Sequence, residues 1–203
     1  MDMEQGTKAE LLARLELIEA MMREGRKTTG RYGWAFVLWG VAFLIAIGWT
    51  SITGHGNLAW PVTMISAAVI QGVVGGMLRC AKPQTHIARS IGAIWSAVGI
   101  TMFAYPFAIG TGGHFEIHAL ICAVEALLGV ANGASAFTLR WRGQFLIALL
   151  WWISSAVTSF VPAALVIPIL AAATLIGQIG FGLYLMYLEH RDRRTSTTAV
   201  QHG

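Results

Sequence analysis

A chain of 203 residues that is 56% hydrophobic and only 12% charged, with a mean hydropathy of +0.62, is too apolar for an ordinary soluble domain. Its formal net charge of +4 arises from 14 Lys and Arg against 10 Asp and Glu. That surplus needs no nucleic acid to explain it, because membrane topology and anionic lipid headgroups account for it.

A polar N-terminal segment comes first. Thr7 and Glu10 form a capping box at a helix start. Leu11, Leu15, Ile18 and Met22 follow at heptad-like spacing, and Leu12, Leu17 and Met21 widen the stripe. Glu10–Arg14 and Glu19–Arg23 are i,i+4 pairs in the favourable order. Between Lys8 and Glu24 there are three basic and four acidic residues, whereas a helix lying on anionic lipid is rich in Lys and Arg. The segment bounded by Thr7 and Glu24 therefore reads as a contact for a second copy or for another membrane protein. The competing reading is a helix that packs on its own bundle.

A bilayer core takes about 20 apolar residues per helix, and six runs meet that need: residues 32–52, 58–78, 91–111, 115–139, 145–160 and 162–187. The turns after the first, third and fifth carry no Lys or Arg. Basic residues fall instead at Arg23, Arg26, Lys27 and Arg31, at Arg79, Lys82 and Arg89, at Arg140 and Arg142, and at Arg191, Arg193 and Arg194. By the positive-inside rule both termini are cytoplasmic. The first span follows a charged helix and lacks a small-residue cleavage site, so it is expected to act as an uncleaved signal anchor.

The fold expected is thus all-α and integral to a membrane, namely a bacterial inner membrane. A cytoplasmic amphipathic helix and basic segment occupy residues 1–31, a six-helix bundle residues 32–188, and a disordered cytoplasmic tail residues 189–203. Trp39, Trp95 and Trp151 stand at an identical interval of 56 residues, and glycine clusters echo at Gly72–Gly75–Gly76, Gly129–Gly133 and Gly177–Gly180. That period is one helical hairpin, which predicts three tandem hairpins. Glycines three and four apart let helix backbones approach closely. Pro106 and Pro168 lie deep enough to kink their helices.

The fourth span carries the chemistry of interest. His118, Cys122, Glu125, Gly129 and Asn132 recur at steps of four, three, four and three, so one face is polar or small. A carboxylate near mid-membrane is costly and marks a functional-site candidate. Gln71, Thr101, Ser154, Ser155 and Gln178 lie within a turn or two of the same depth by residue count. In one reading Glu125 titrates or holds a cation, His118 relays protons from outside, and Asn132 continues the path inward. In the other, Glu125 bonds a Gln or Ser and only pins the helix register.

His55, His114 and His118 form the one arrangement able to approach a metal, on the outer side, but such imidazoles read more simply as solvated or capping groups. No metal and no cofactor are assigned. Cys80 and Cys122 lie at different depths, so no disulfide is expected. Phosphate-loop, dinucleotide, zinc-protease and nucleophile-elbow motifs are missing, so no enzyme is expected.

The run from Ala97 to Gly110 (AVGITMFAYPFAIG), followed by the glycine-rich fourth span, resembles the repeated two-helix unit of small HdeD-type bacterial membrane proteins. The resemblance implies six spans and a setting in acid resistance, and supplies no catalytic residues. The charged N-terminal helix departs from that family's pattern. Two functions follow as expectations: a non-enzymatic accessory, sensing or scaffold protein contacting a partner through its N-terminal helix, or a small channel or proton-linked transporter using the His118–Glu125 path.

Overall fold

The structure, a computed structural model, describes residues 10–17, 19–20, 32–53, 58–80, 86–113 and 116–201. Those residues are helical apart from short turns. Residues 10–17 form α1, followed by α2 (Gly33–Thr53), α3 (Ala59–Cys80), α4 (His86–Thr111), α5 (Ile117–Leu139), α6 (Arg142–Thr158) and α7 (Ala163–Thr174). One π-helical stretch, Leu175–Gly180, joins α7 to α8 (Phe181–Gln201).

Among the described residues five stretches are long and apolar enough to cross a membrane: Gly33–Thr53, Ala59–Met77, Ile87–Thr111, Ile117–Leu139 and Ala163–Asp192. The expected fifth span, α6, is 17 residues, or about 25 Å at 1.5 Å per residue. The expected disordered tail is instead the continuation of α8 to Gln201. Its sequence supplies no reason to stop, since neither Gly nor Pro occurs between Gly182 and His202.

Packing is centred on the α5–α6 pair. Arg140 adopts a left-handed conformation (φ 47°, ψ 46°), its amide bonding back to the end of α5, and α6 starts two residues later. Gly129 and Gly133 make this hairpin tight, because the Trp152 indole occupies the space where their Cβ atoms would stand. Trp151, on the adjoining face, is fully buried and lies over Gly177 of the π-helical stretch. Leu128, Leu170 and Ala173 complete the core around it.

On the far side, α2 runs along the π-helical stretch and α8 through reciprocal glycine contacts. A Cβ on Gly33 would stand 2.8 Å from the Gly182 carbonyl, and one on Gly182 would stand 2.7 Å from the Gly33 carbonyl. Gly40 packs in the same way on Gln178 and Ile179. Phe36 ties α2 to its neighbours through edge-on contacts with Trp95 and Phe181, centroids 5.1 and 5.4 Å apart.

The outer helices are different. In α3 a narrow edge (Ala59, Thr63, Ala67 and Gly75) is buried, and in α4 Val98 is the buried hydrophobic. Gly72, Gly75, Gly76, Gly92 and Gly99 have nothing within 4 Å of a built Cβ. Close approach through glycine therefore holds in α5 and in the π-helical stretch at Gly177, and it fails in α3. Both internal prolines remain within continuous helix, Pro106 in α4 and Pro168 in α7.

This contrast is testable. Gly129→Ala should lower thermal stability in detergent by about 1–3 kcal/mol, since the indole must be displaced, whereas Gly72→Ala should leave the melting temperature unchanged or slightly raised. Thermal unfolding monitored by size-exclusion chromatography checks both.

Candidate functional site

Glu125 is fully buried, with no exposed surface. The α5 helix places it one turn before Gly129, so it shares the face that α6 covers. Ser154 Oγ donates to Glu125 Oε1 at 2.6 Å. The Thr158 hydroxyl faces the same carboxyl from one turn further along α6 but lies outside hydrogen-bonding geometry, and Oε2 has no protein donor. A carboxyl, one donating hydroxyl and a second hydroxyl unbonded make up the centre of the site.

Above it, towards the start of α5, polar contacts continue between the same two helices. Ser155 Oγ donates to the Cys122 carbonyl at 2.9 Å, and Cys122 Sγ meets Ser159 Oγ at 3.3 Å. At the top, His118 Nε2 lies 3.0 Å from the Val161 carbonyl, which an imidazole N–H satisfies by donating. His118, Cys122 and Glu125 thus each find a partner on α6 or on the turn that follows it. The polar stripe of span four is matched by Ser154, Ser155, Thr158 and Ser159.

Below Glu125 the pattern changes. Leu128, Trp151, Leu170 and Ala173 close the space with apolar surface. Deeper still lie three buried carboxamides from three elements: Asn132 on α5, Gln144 on α6 and Gln178 in the π-helical stretch. Asn132 Nδ2 bonds its own helix at the Leu128 carbonyl, 2.9 Å away. Asn132 Oδ1, both polar atoms of Gln144 and Gln178 Oε1 are without protein partners, as are Trp151 Nε1 and Thr174 Oγ1. Buried groups of this kind are expensive unless paired.

Not all expected members join the site. Gln71 is elsewhere, accepting a hydrogen bond from Trp39 Nε1. Thr101 is exposed and bonded to Ala97 of its own helix. His55 and His114 lie outside the described residues, so the outer histidine arrangement is represented by His118 alone. Among the described residues no group of three His, Cys, Asp or Glu is disposed to hold a metal. Thr158, Gln144 and Thr174 were not singled out from the sequence. Gln144, Trp151, Ser154 and Thr158 stand at steps of seven, three and four, so the periodicity that revealed span four is present in α6 as well.

Comparison with protein-family models, with curated proteins and with solved structures finds no match.

The Glu125–Ser154 bond gives an asymmetric prediction. Ser154→Ala removes the one donor to a buried carboxyl and should cost about 1–3 kcal/mol. Glu125→Gln keeps an oxygen for the Ser154 hydroxyl and should cost less. In the double variant the two effects should be less than additive, as a mutant cycle on thermal unfolding would reveal.

Proposed function

We propose that the chain is a non-enzymatic six-span protein of a bacterial inner membrane, of accessory, sensing or scaffold type, with both termini cytoplasmic and α1 as its partner-facing element. The observation that carries this reading is the exposure of α1. Leu11, Leu12, Leu15 and Leu17 are 53–62% exposed, which argues against a helix that merely packs on its own bundle. Such a stripe, with its charges near balance, suits another protein surface better than anionic lipid. The likeness of spans three and four to the HdeD-type unit fits the same class.

Six spans are favoured because α6, although short, is within the lower range of membrane-crossing helices. The three tryptophans support tandem hairpins. Trp39 donates to Gln71 on α3, Trp95 donates to Ser135 on α5 at 3.2 Å, and Trp151 lies against Gly177. In each case the indole edge reaches the next span of its own proposed hairpin. The α5–α6 packing then joins the second hairpin to the third.

The α1 reading predicts that deleting residues 7–24, or introducing Leu11→Asp with Leu15→Asp, abolishes a co-purifying partner or a dimer without changing the melting temperature of the membrane bundle. Cross-linking and mass measurement of the detergent-solubilised protein decide it. An unchanged assembly counts against α1 as the contact.

A second reading is favoured by the polar ladder that ends on Glu125: a small channel or proton-linked transporter. Under it, Glu125→Gln abolishes a proton or ion flux in proteoliposomes while the fold survives. The apolar layer of Leu128, Trp151, Leu170 and Ala173 requires that any such path open by rearrangement.

A further inference from the structure

We propose that the Glu125 carboxylate and the hydroxyl oxygens of Ser154 and Thr158 form an intramembrane site for a small monovalent metal cation, sodium in size, which exchanges with the carboxyl proton. The inference rests on the burial of Glu125 that motivates the transporter reading, but it concerns binding and does not require transport.

The first observation is what Thr158 does not do. A threonine inside a helix ordinarily turns its hydroxyl back to the carbonyl four residues earlier. Thr50, Thr53, Thr63, Thr101, Thr111 and Thr138 all do so in this chain. The fully buried Thr158 and Thr174 do not, and of the two it is the Thr158 oxygen that stands unbonded beside the Glu125 carboxyl. Glu125 Oε2 is likewise unbonded. Two unpartnered oxygens with no exposed surface thus stand beside a bonded pair, Oε1 and Ser154 Oγ.

Charge balance selects the ligand class. Among the described residues Arg89, Arg140, Arg142, Arg191 and Arg194 are all exposed, so none neutralises an ionised Glu125. On α5 itself the His118 ring is held by the Val161 carbonyl and the Cys122 thiol by Ser159. The elements packed on α5 add little: α7 contributes no titratable side chain, α6 contributes Arg142 at its far end, and α4 carries His86 and Arg89 in its opening turns and the half-buried Tyr105. A monovalent cation would cancel the single negative charge. A divalent one would leave a net positive charge buried, at high cost.

The donors and spacing favour a hard, small ion. All candidate ligands are carboxylate or hydroxyl oxygens, which suit hard cations. For a cation held at about 2.4 Å from each oxygen, with the two oxygens at right angles, the 2.6 Å between Oε1 and Ser154 Oγ widens to about 3.4 Å. A larger ion would push α5 from α6, which Trp152 against Gly129 and Gly133 opposes. On binding, the carboxyl proton leaves for solvent. The Ser154 and Thr158 protons turn to carbonyls of their own helix, freeing lone pairs for the metal.

The test is protection of Glu125 from dicyclohexylcarbodiimide, which attacks buried protonated carboxyls. The purified full chain in detergent is labelled from about pH 5 to pH 9 in choline chloride, NaCl or KCl at equal ionic strength, and the Glu125 peptide is quantified by mass spectrometry. Glu125→Gln serves as the unlabelled control. Sodium should slow labelling at least about tenfold where potassium and choline do not. Thr158→Val should weaken that protection at least about tenfold and Thr158→Ser should retain it. Equal labelling in sodium and choline overturns the inference while leaving a proton-only transporter standing. Absence of labelling in every condition overturns it too, as does full sodium protection in Thr158→Val. Sodium protection without flux in proteoliposomes upholds the site and removes the transporter reading.

Discussion

A carboxyl group in the middle of an apolar helix bundle constrains everything around it, because water is not there to solvate it and each unpaired polar atom carries a penalty of several kcal/mol in the limit. Here that constraint falls on the α5–α6 pair. Glu125 and Ser154 set the longitudinal register of the two helices, and the register in turn brings Cys122 to Ser155 and Ser159. The same register sends the Trp152 indole onto Gly129 and Gly133. Sliding α6 by one turn would break the hydrogen bond and carry the indole onto Glu125 or Phe137, where a side chain stands in place of a glycine, so polar pairing and steric fit specify one arrangement together.

The remaining helices attach around this pair by different means. The π-helical stretch places Gly177 under the Trp151 indole, and α2 packs on that stretch and on α8 through Gly33, Gly40 and Gly182. Each of these contacts uses glycine to bring a backbone or an indole close, which is how helices gain dispersion energy where lipid offers no hydrophobic drive for association. The α3 and α4 helices meet the bundle through aromatic edges and through single hydrogen bonds from Trp39 and Trp95. Their outward residues, among them Ile65, Val69, Val73, Ile100 and Phe107, are exposed and apolar, as a lipid-facing surface has to be.

Hydrophobic run lengths made most of the helices legible, because apolar stretches bounded by charge or turn residues leave little freedom in where a membrane helix begins and ends. The fourth span was expected at residues 115–139 and lies at Ile117–Leu139. The third was expected to start at residue 91, yet α4 starts at His86, since a polar turn before the apolar run costs a helix nothing when it is solvated. Depth along a helix was legible too, but azimuth was not. Gln71 and Ser154 were placed at a depth similar to Glu125, and only Ser154 faces it; which residues meet across a bundle depends on helix rotation, and one sequence does not encode that outside its own periodicity. The glycines of α3 carry the same lesson, since small residues permit close packing without requiring it.

The π-helical stretch was illegible for a different reason. A period of 3.6 residues assigns each position of residues 162–187 a fixed angle, and a wider turn between Leu175 and Gly180 shifts that assignment for everything after it. Across this turn Thr174, Gly177 and Gln178 are all buried, and the stripe then resumes at Phe181 and Leu185. Gly177 yields to Trp151 while Thr174 and Gln178 remain as polar groups in the interior. Thr174, Gly177 and Gln178 stand at i, i+3 and i+4, a spacing that a regular helix also keeps on one face. The stretch thus accommodates a buried indole at its glycine and still supplies two polar side chains to the core, directly below the layer that closes off Glu125.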